Sequence, residues 1–261
     1  MRCPLLDNDL ILIEEAAREA GKIAKRYFKK DPKTWDKAKN EGPVTQADLD
    51  IDHMLRHHLL SARSNYGWLS EETEDTKNRL LTDVVFIVDP IDGTRSFING
   101  ALHWGHSLAV AKNGQVQVAA VFMPMLDMMF TAVLNGGAFL NKQPVSVSKR
   151  QKIEGADILS SKANLGDEFW PGGLPNIKRS FRSSIAYRLC LVANGMFDGM
   201  LTLRPTWEWD VAAGSLIASE AGGLATDQNG QELVFNSPIG QLNGIVSSNP
   251  CIHAGLMKGL R

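Results

Sequence analysis

Five consecutive apolar residues, Val84-Val85-Phe86-Ile87-Val88, run without interruption into Asp89-Pro90-Ile91-Asp92-Gly93-Thr94. A short unbroken run rich in β-branched side chains reads as a buried strand. Two carboxylates three residues apart then leave its C-terminal end, where ligand sites of α/β folds commonly sit. Pro90 fixes one φ angle and removes one donor, which stiffens the turn. Gly93 lets backbone approach a ligand closely. If Gly93-Thr94 opens a helical turn, its free N–H groups point outward and hold a phosphate. An acidic pair and an anion cradle repel one another unless a divalent cation lies between them. Oxygen-only ligands beside a phosphate suit magnesium. The plainer alternative is an Asp-Pro turn followed by an aspartate that caps a helix.

Around this strand the hydrophobic period changes along the chain. Ile13, Ala16, Ala20, Ile23 and Tyr27 recur at helical spacing within Leu10–Phe28, with Asp7 or Asn8 as the cap. A lysine-rich connector, Lys29 to Gly42, precedes a second helix from Thr45 to about Ala62 with Leu49, Met54, Leu55 and Leu59 inward. Asn113-Gly114 between two apolar runs predicts a tight hairpin, and the stretch from Ser107 to Val147 reads as a β-meander. Further on, Asp157–Ser160, Met200–Leu203 and Gly244–Ser248 read as strands. Ser184–Ala193 and Trp209–Ala221 read as helices closed by Asn194-Gly195 and Gly222-Gly223, and a short helix follows Pro250. The expected class is α/β in the broad sense, α+β layered, because helices come first, then an antiparallel sheet, then an alternating half. The 261 residues are expected to form a single domain, with an α+β half at about 1–150 and an α/β half at about 151–261.

Composition excludes several function classes. Lys+Arg is 28 against Asp+Glu at 29, which leaves no electrostatic footprint for nucleic acid or an anionic membrane. Cys3, Cys190 and Cys251 are odd in number, far apart and form no C-x-x-C pair. That argues against a disulfide framework or a cysteine zinc site and suits a reducing, cytoplasmic setting. The first residues meet Asp7 too early for a secretory signal, and no apolar run is long enough to span a membrane.

Three further segments carry acids. Trp209-Asp210-Val211-Ala212-Ala213-Gly214 puts an aspartate where a helix begins, followed by small residues that permit close packing. Ser70-Glu71-Glu72 is an acidic pair in a loop. Pro43-Val44-Thr45-Gln46-Ala47-Asp48 has the form of a capping box. Taken singly, each has a structural reading as good as a functional one. In this order, however, the four segments resemble the motifs of the inositol monophosphatase family, P-V-T-x-A-D, an acidic pair, D-P-[IL]-D-G-T and W-D-x-A-[AG], over nearly the whole chain.

That resemblance implies a five-layer αβαβα sandwich, also seen in fructose-1,6-bisphosphatase-like proteins, a homodimer, lithium sensitivity and two or three Mg2+ ions. Carried over by residue, it implies Glu71, Asp89 and the Ile91 carbonyl at one metal, and Asp89, Asp92 and Asp210 at a second. Asp48 and Thr94 would lie near the attacking water with Glu71 assisting, and Gly93 and Thr94 N–H groups would take phosphate oxygens. The activity implied is hydrolysis of a small phosphate monoester such as inositol 1-phosphate. Metal-activated water needs no serine or cysteine nucleophile, and no G-x-S-x-G or C-x5-R motif is present.

The chain departs from the family at the substrate side. An acid often lies about seven residues before the W-D aspartate; here Leu203 stands there, followed by Arg204-Pro205-Thr206. The string ending Glu208-Trp209-Asp210 is more similar to bisphosphate nucleotidases, with Arg204 meeting a second phosphate. Histidinol phosphate is a further candidate substrate, and a transcription- or RNA-associated binding role is the alternative of another class. His53 and His57 have zinc spacing but no third ligand. His103 and His106 flank Trp104-Gly105 and are expected to pack. Met123, Met125, Met128 and Met129 read as core or interface filler. Lys37 or Lys39 could reach the site from the connector, the alternative being a solvated lysine, and Trp170 sits in a stretch read either as a loop over the substrate or as an exposed loop with no role.

Overall fold

The buried strand expected at Val84–Val88 extends to Asp92 and forms the second strand of a seven-stranded sheet. The computed structural model describes residues 4–37 and 42–260; Cys3 and Lys39 lie outside them. In chain order the helices are α1 (Pro4–Tyr27), α2 (Gln46–Ala62), α3 (Thr94–Ile98), α4 (Ile185–Ala193), α5 (Glu208–Glu220) and α6 (Pro250–Leu260). The strands of the first half are β1 (Thr34–Asp36), β2 (Pro43–Thr45), β3 (Gly67–Ser70), β4 (Val84–Asp92), β5 (Gly105–Lys112), β6 (Gln115–Met123), β7 (Met128–Val133), β8 (Ala138–Leu140) and β9 (Gln143–Pro144). Those of the second are β10 (Asp157–Leu159), β11 (Lys178–Ser180), β12 (Gly199–Thr202), β13 (Thr206–Trp207), β14 (Leu224–Thr226), β15 (Gln241–Leu242) and β16 (Ile245–Ser248).

The large sheet has the order β3-β4-β5-β6-β7-β8-β9, and a five-stranded sheet has the order β11-β10-β12-β16-β14. Alternation along β4 explains the layers. Phe86 and Val88 face one way and pack with Ile13, Ala16, Ala20 and Ala24 of α1 and Ile51, Leu55 and Leu59 of α2. Val85 and Ile87 face the other way and pack with Leu189 and Val192 of α4 and Val211, Ala212 and Leu216 of α5. Met200 and Ile245 of the smaller sheet close that second core. Beyond it, Ile158, Leu201 and Val246 pack with Ile252 and Leu256 of α6. The result is the expected α/β/α/β/α stack.

Asn113 and Gly114 both take positive φ, 50° and 84°, so the β5–β6 hairpin turns as the sequence predicts. Several expectations need correction. Helix α1 begins at Pro4, not near Leu10, because proline is tolerated in a first turn. Asp7 therefore lies inside that turn, where the helix dipole favours it, rather than capping it. Leu49 points outward at 37% exposure, since the buried face of α2 runs through Ile51, Leu55 and Leu59. The connector holds β1, paired antiparallel with β2. Strand β3, unforeseen, pairs parallel with β4 from Gly67↔Val85 to Ser70↔Val88. Trp170 is no lid: it is buried, and its Nε1–H donates to the Asn164 carbonyl at 2.9 Å. Met123 and Met129 are buried, while Met125 and Met128 are partly buried against the cores.

Candidate active site

In a regular strand, residues three apart point to opposite faces. Asp89 and Asp92 avoid this because β4 carries a bulge. Asp89 pairs with Ser107 and Asp92 with Gly105, so the ladder gains one residue between them. Pro90 fits such a break, having no N–H to lose from the ladder. Its carbonyl accepts from His106 Nδ1 at 2.5 Å. His106 is fully buried, and burial pushes its imidazole down to about 4, so the ring is neutral and donates from Nδ1. It is a strut inside the bulge, packed as the sequence predicts. His103 stacks on Tyr187 with ring centroids 5.8 Å apart.

Helices α4 and α5 bring the remaining partners. Asp92 accepts from Ser184 Oγ and the Ala186 N–H, each at 2.6 Å, and from the Ile185 N–H at 3.2 Å. It thus sits at the positive end of α4. Burial still pushes Asp92 up to about 6, with those donors pulling the other way. Asp210 lies in the first turn of α5, whose N-cap is Trp207. Helix α5 approaches α4 closely: a Cβ on Gly214 would stand 2.6 Å from Leu189 Cβ. Ser107 Oγ donates to the Trp209 carbonyl at 3.0 Å and ties α5 to β5.

Carboxylate oxygens of Asp89, Asp92 and Asp210 lie within 4.8 Å of one another. Asp89 is 1% exposed and its Oδ1 has no hydrogen-bond partner. Burial first, then the charges of Glu71, Asp92 and Asp210, raise Asp89 well above the usual carboxylate range. Asp210 is raised for the same reasons, with Arg204 and Lys37 opposing. An orphaned buried oxygen among converging carboxylates fits a hard cation with oxygen ligands. Among the described residues this is the one group of three so arranged, and His53 and His57 gain no third ligand.

The other predicted residues gather around the same point. Thr45 Oγ1 and N–H donate to Asp48 Oδ2 at 2.6 and 2.8 Å, which completes the capping box of α2. Asp48 Oδ1 is left to accept from Thr94 Oγ1 at 3.2 Å, and Thr94 also reaches the Ile91 carbonyl at 3.1 Å. The capping reading of Asp48 thus holds, and it leaves Oδ1 turned toward Thr94. Burial pushes Asp48 up to about 6, opposed by the Thr45 bonds. Gly93 has φ +98°, and a Cβ there would meet the His103 carbonyl at 3.1 Å, so the residue must be glycine.

Lys37 Nζ bonds Glu71 at 2.6 Å and Glu72 at 2.7 Å. Burial alone would lower this ammonium; the two glutamates outweigh it and raise it. Burial and the neighbouring Glu71 push Glu72 up to about 8.

On the substrate side Leu203 is buried at 3% exposure and Arg204 is exposed. Arg204's charge acts on Asp210 and on Arg188. Among the described residues, no hydrogen bond engages its guanidinium. Glu208 does not face this side. It is fully buried and accepts from the Asn236 and Ser237 N–H groups at 2.6 and 2.9 Å. Sequence reasoning missed Ser184 as a partner of Asp92, and also Arg188. The Arg188 guanidinium holds the Arg182 and Ser183 carbonyls at 2.5 and 3.3 Å and lies over Phe181.

Comparison with known proteins makes the chain a phosphomonoesterase. The profile of the inositol monophosphatase family matches residues 6–261. The chain is 37% identical to an inositol-1-monophosphatase of Rhizobium meliloti over 199 residues, 72% of this chain and 73% of that protein. It is 32% identical to the Nus factor SuhB of Haemophilus influenzae over 222 residues, 81% of this chain and 82% of that one. The extragenic suppressor protein suhB from Bartonella henselae superposes with a TM-score of 0.82 at 27% identity, covering 97% of this chain and 98% of that structure. The chain belongs to the inositol monophosphatase family.

Proposed function

We propose that the chain hydrolyses a small phosphate monoester, inositol 1-phosphate foremost, with Mg2+ held by Glu71, Asp89, the Ile91 carbonyl, Asp92 and Asp210. The observation that carries this is the unpartnered Asp89 Oδ1 inside a buried carboxylate cluster. Mg2+, as two or three ions, would supply charge for the phosphoryl oxygens and lower the pKa of the attacking water. The Gly93 and Thr94 N–H groups receive the phosphate oxygens. Thr94 Oγ1 and Asp48 Oδ1 orient the water, and Asp48 accepts its proton with Glu71 assisting. Lys37 balances the glutamates when no cation is bound. Lithium competes for a cation site and slows turnover; the working assembly is a homodimer in the cytoplasm. No helix among the described residues is long and apolar enough to cross a membrane.

The test is phosphate release from inositol 1-phosphate, 3′-phosphoadenosine 5′-phosphate, histidinol phosphate and fructose 1,6-bisphosphate, each with Mg2+, with EDTA and with added lithium. Turnover of one substrate that requires Mg2+ supports the reading. Turnover undiminished in EDTA refutes it.

A second reading keeps the chemistry and changes the substrate. Leu203 offers no hydroxyl ligand, and Arg204 presents a guanidinium free to meet a second phosphate. Arg204→Ala then weakens a bisphosphate substrate about tenfold or more in kcat/KM and spares a monophosphate. Equal effects on both count against it. A binding role of the kind suggested by the SuhB name predicts RNA or polymerase subunits co-purifying at low salt, which the net charge of −1 disfavours.

A further inference from the structure

Glu71 and Glu72 follow the last residue of β3 and lie in a segment with no regular structure. The Glu71 N–H still reaches the Val88 carbonyl at 3.3 Å, which anchors its backbone to β4 but leaves the rest of the turn and the direction of the two carboxylates to other contacts. We propose that Asp52 is that positioning residue, a buried acceptor on α2 that clamps both ends of the acidic turn and thereby sets the cation affinity of the site.

Asp52 lies one helical turn beyond Asp48 and so on the same face of α2. It is 7% exposed. Its Oδ1 accepts from Ser70 Oγ and its Oδ2 from Thr73 Oγ1, both at 2.5 Å. Those two hydroxyls bracket Glu71-Glu72. A carboxylate only accepts, so each hydroxyl proton is committed to Asp52. Each hydroxyl oxygen then faces outward as an acceptor. Ser70 Oγ receives the Glu72 N–H at 3.5 Å, and Thr73 Oγ1 receives the Trp68 Nε1–H at 3.1 Å. Every donor in the chain points toward one buried charge, from the Trp68 indole at one end and the Glu72 backbone at the other. Bonds to an ionised acceptor are stronger than neutral ones, and a chain with one polarity reinforces itself. From the opposite side Lys37 grips the two glutamate side chains. The turn is thus held by its hydroxyls from α2 and by its carboxylates from the connector. Only the Lys37 grip must yield when a cation arrives, so Asp52 keeps Glu71 in place while its counter-ion changes.

Asp52→Asn preserves shape but turns one acceptor into a donor facing a hydroxyl, which breaks the polarity of the chain. Thr73→Val removes one arm without touching α2. The measurement is binding of Mg2+ alone, by calorimetry and by the Mg2+ concentration that raises the melting temperature, with no substrate present. Asp52→Asn and Thr73→Val are each expected to weaken Mg2+ binding about 10–100-fold, as loss of an outer partner of a metal ligand does. Their effects are expected to be non-additive in the double variant. Asp52→Glu, which keeps two acceptors, is expected to recover most of the affinity, and kcat at saturating Mg2+ should change less than the Mg2+ requirement. A purely structural role would lower the melting temperature in EDTA and leave Mg2+ affinity unchanged. Mg2+ affinity within twofold of the native chain in both Asp52→Asn and Thr73→Val overturns the proposal. Should Asp52→Asn fail to fold, Thr73→Val and Ser70→Ala decide by the same criterion. The inference rests on Glu71 as a cation ligand. A native chain that binds no Mg2+ overturns that reading and this one together, whereas native binding with unaffected variants overturns Asp52 alone.

Discussion

Asp92 shows how one side chain serves two neighbours. One of its oxygens faces Ser184 and the first turn of α4, and its charge joins the cluster with Asp89 and Asp210. Asp92→Asn would set an amide against the Ser184 hydroxyl and the α4 N–H groups and remove a negative charge from the cation site. Phosphate release is expected to fall by more than the roughly 10–100-fold typical of outer-shell losses; near-native activity in that variant would refute its role. The raised acids also set a pH dependence. Asp48 and Asp92 stand near 6 in the folded chain against a usual 3.8. A carboxylate that holds its proton more tightly when folded favours folding at low pH, and that advantage is lost as pH climbs from about 4 through about 6. A cation held at Asp92, its charge felt at Asp48, would displace those protons. The gap in melting temperature between Mg2+ and EDTA should therefore widen from about pH 5 to about pH 8. A constant gap would mean that Asp92 does not hold the ion and that Asp48 does not feel its charge. Asp89, Asp92 and Asp210 were legible in the sequence because each sits at a recognisable boundary between strand, turn and helix. Ser184, His106 and Asp52 were not. Their roles depend on partners far away in the chain, and a lone serine, histidine or aspartate on a helix or strand carries no local sign of its bond.

Among the elements, β4 and α5 do most to place the site. The bulge in β4 turns Asp89 and Asp92 to one side, and the small residues of α5 let that helix press onto α4. Gly214→Ala is expected to destabilise the fold by about 1–3 kcal/mol through overpacking against Leu189, read as a lower melting temperature in EDTA. An unchanged melting temperature would show that the two helices can separate at no cost. The loops are tied as well. Arg79, 2% exposed, bonds Asp75, the Asn236 side chain and the Ser237 carbonyl, while Glu208 holds the backbone of the same 236–237 turn. The first turn of α5 is thereby linked to the segment that follows Glu71-Glu72. Helix α2 with its cap, the β5–β6 hairpin and the Gly195 stop of α4 all follow from local chemistry. Strand β3 escaped because Gly67-Trp68-Leu69-Ser70 is too short to show a period and finds its partner only by parallel pairing with β4. Trp170 escaped because proline and glycine around it signal a loop, while its indole is enclosed by Ala156, Ile158 and the α6 core.

At the scale of the whole molecule, the carboxylates come from α2, the β3–β4 connection, β4 and α5, so the site exists only when both sheets are stacked about α4 and α5. An unfolded chain offers no such cluster. A cation that binds the folded state alone stabilises it by about 2.7 kcal/mol at one hundred times its dissociation constant. For a chain of this size, that is a rise in melting temperature of roughly 5–10 °C. Thermal unfolding in EDTA and in saturating Mg2+ checks this, and coincident curves would exclude a resident cation. A layered arrangement was readable from the run of element types, because a strand that is apolar on both faces demands cover on each, whereas the five-layer order followed only from the family resemblance.

The short connection that carries Leu203 and Arg204 has a consequence for descent. Only Leu203 of that pair is committed to the core, and the clustered acids stand on other segments. Changes at Arg204 alter the field at Asp210 but remove no member of the acid cluster and open no buried layer. A lineage built on this scaffold can therefore drift from one phosphorylated substrate to another by editing a few codons, its acid cluster inherited whole.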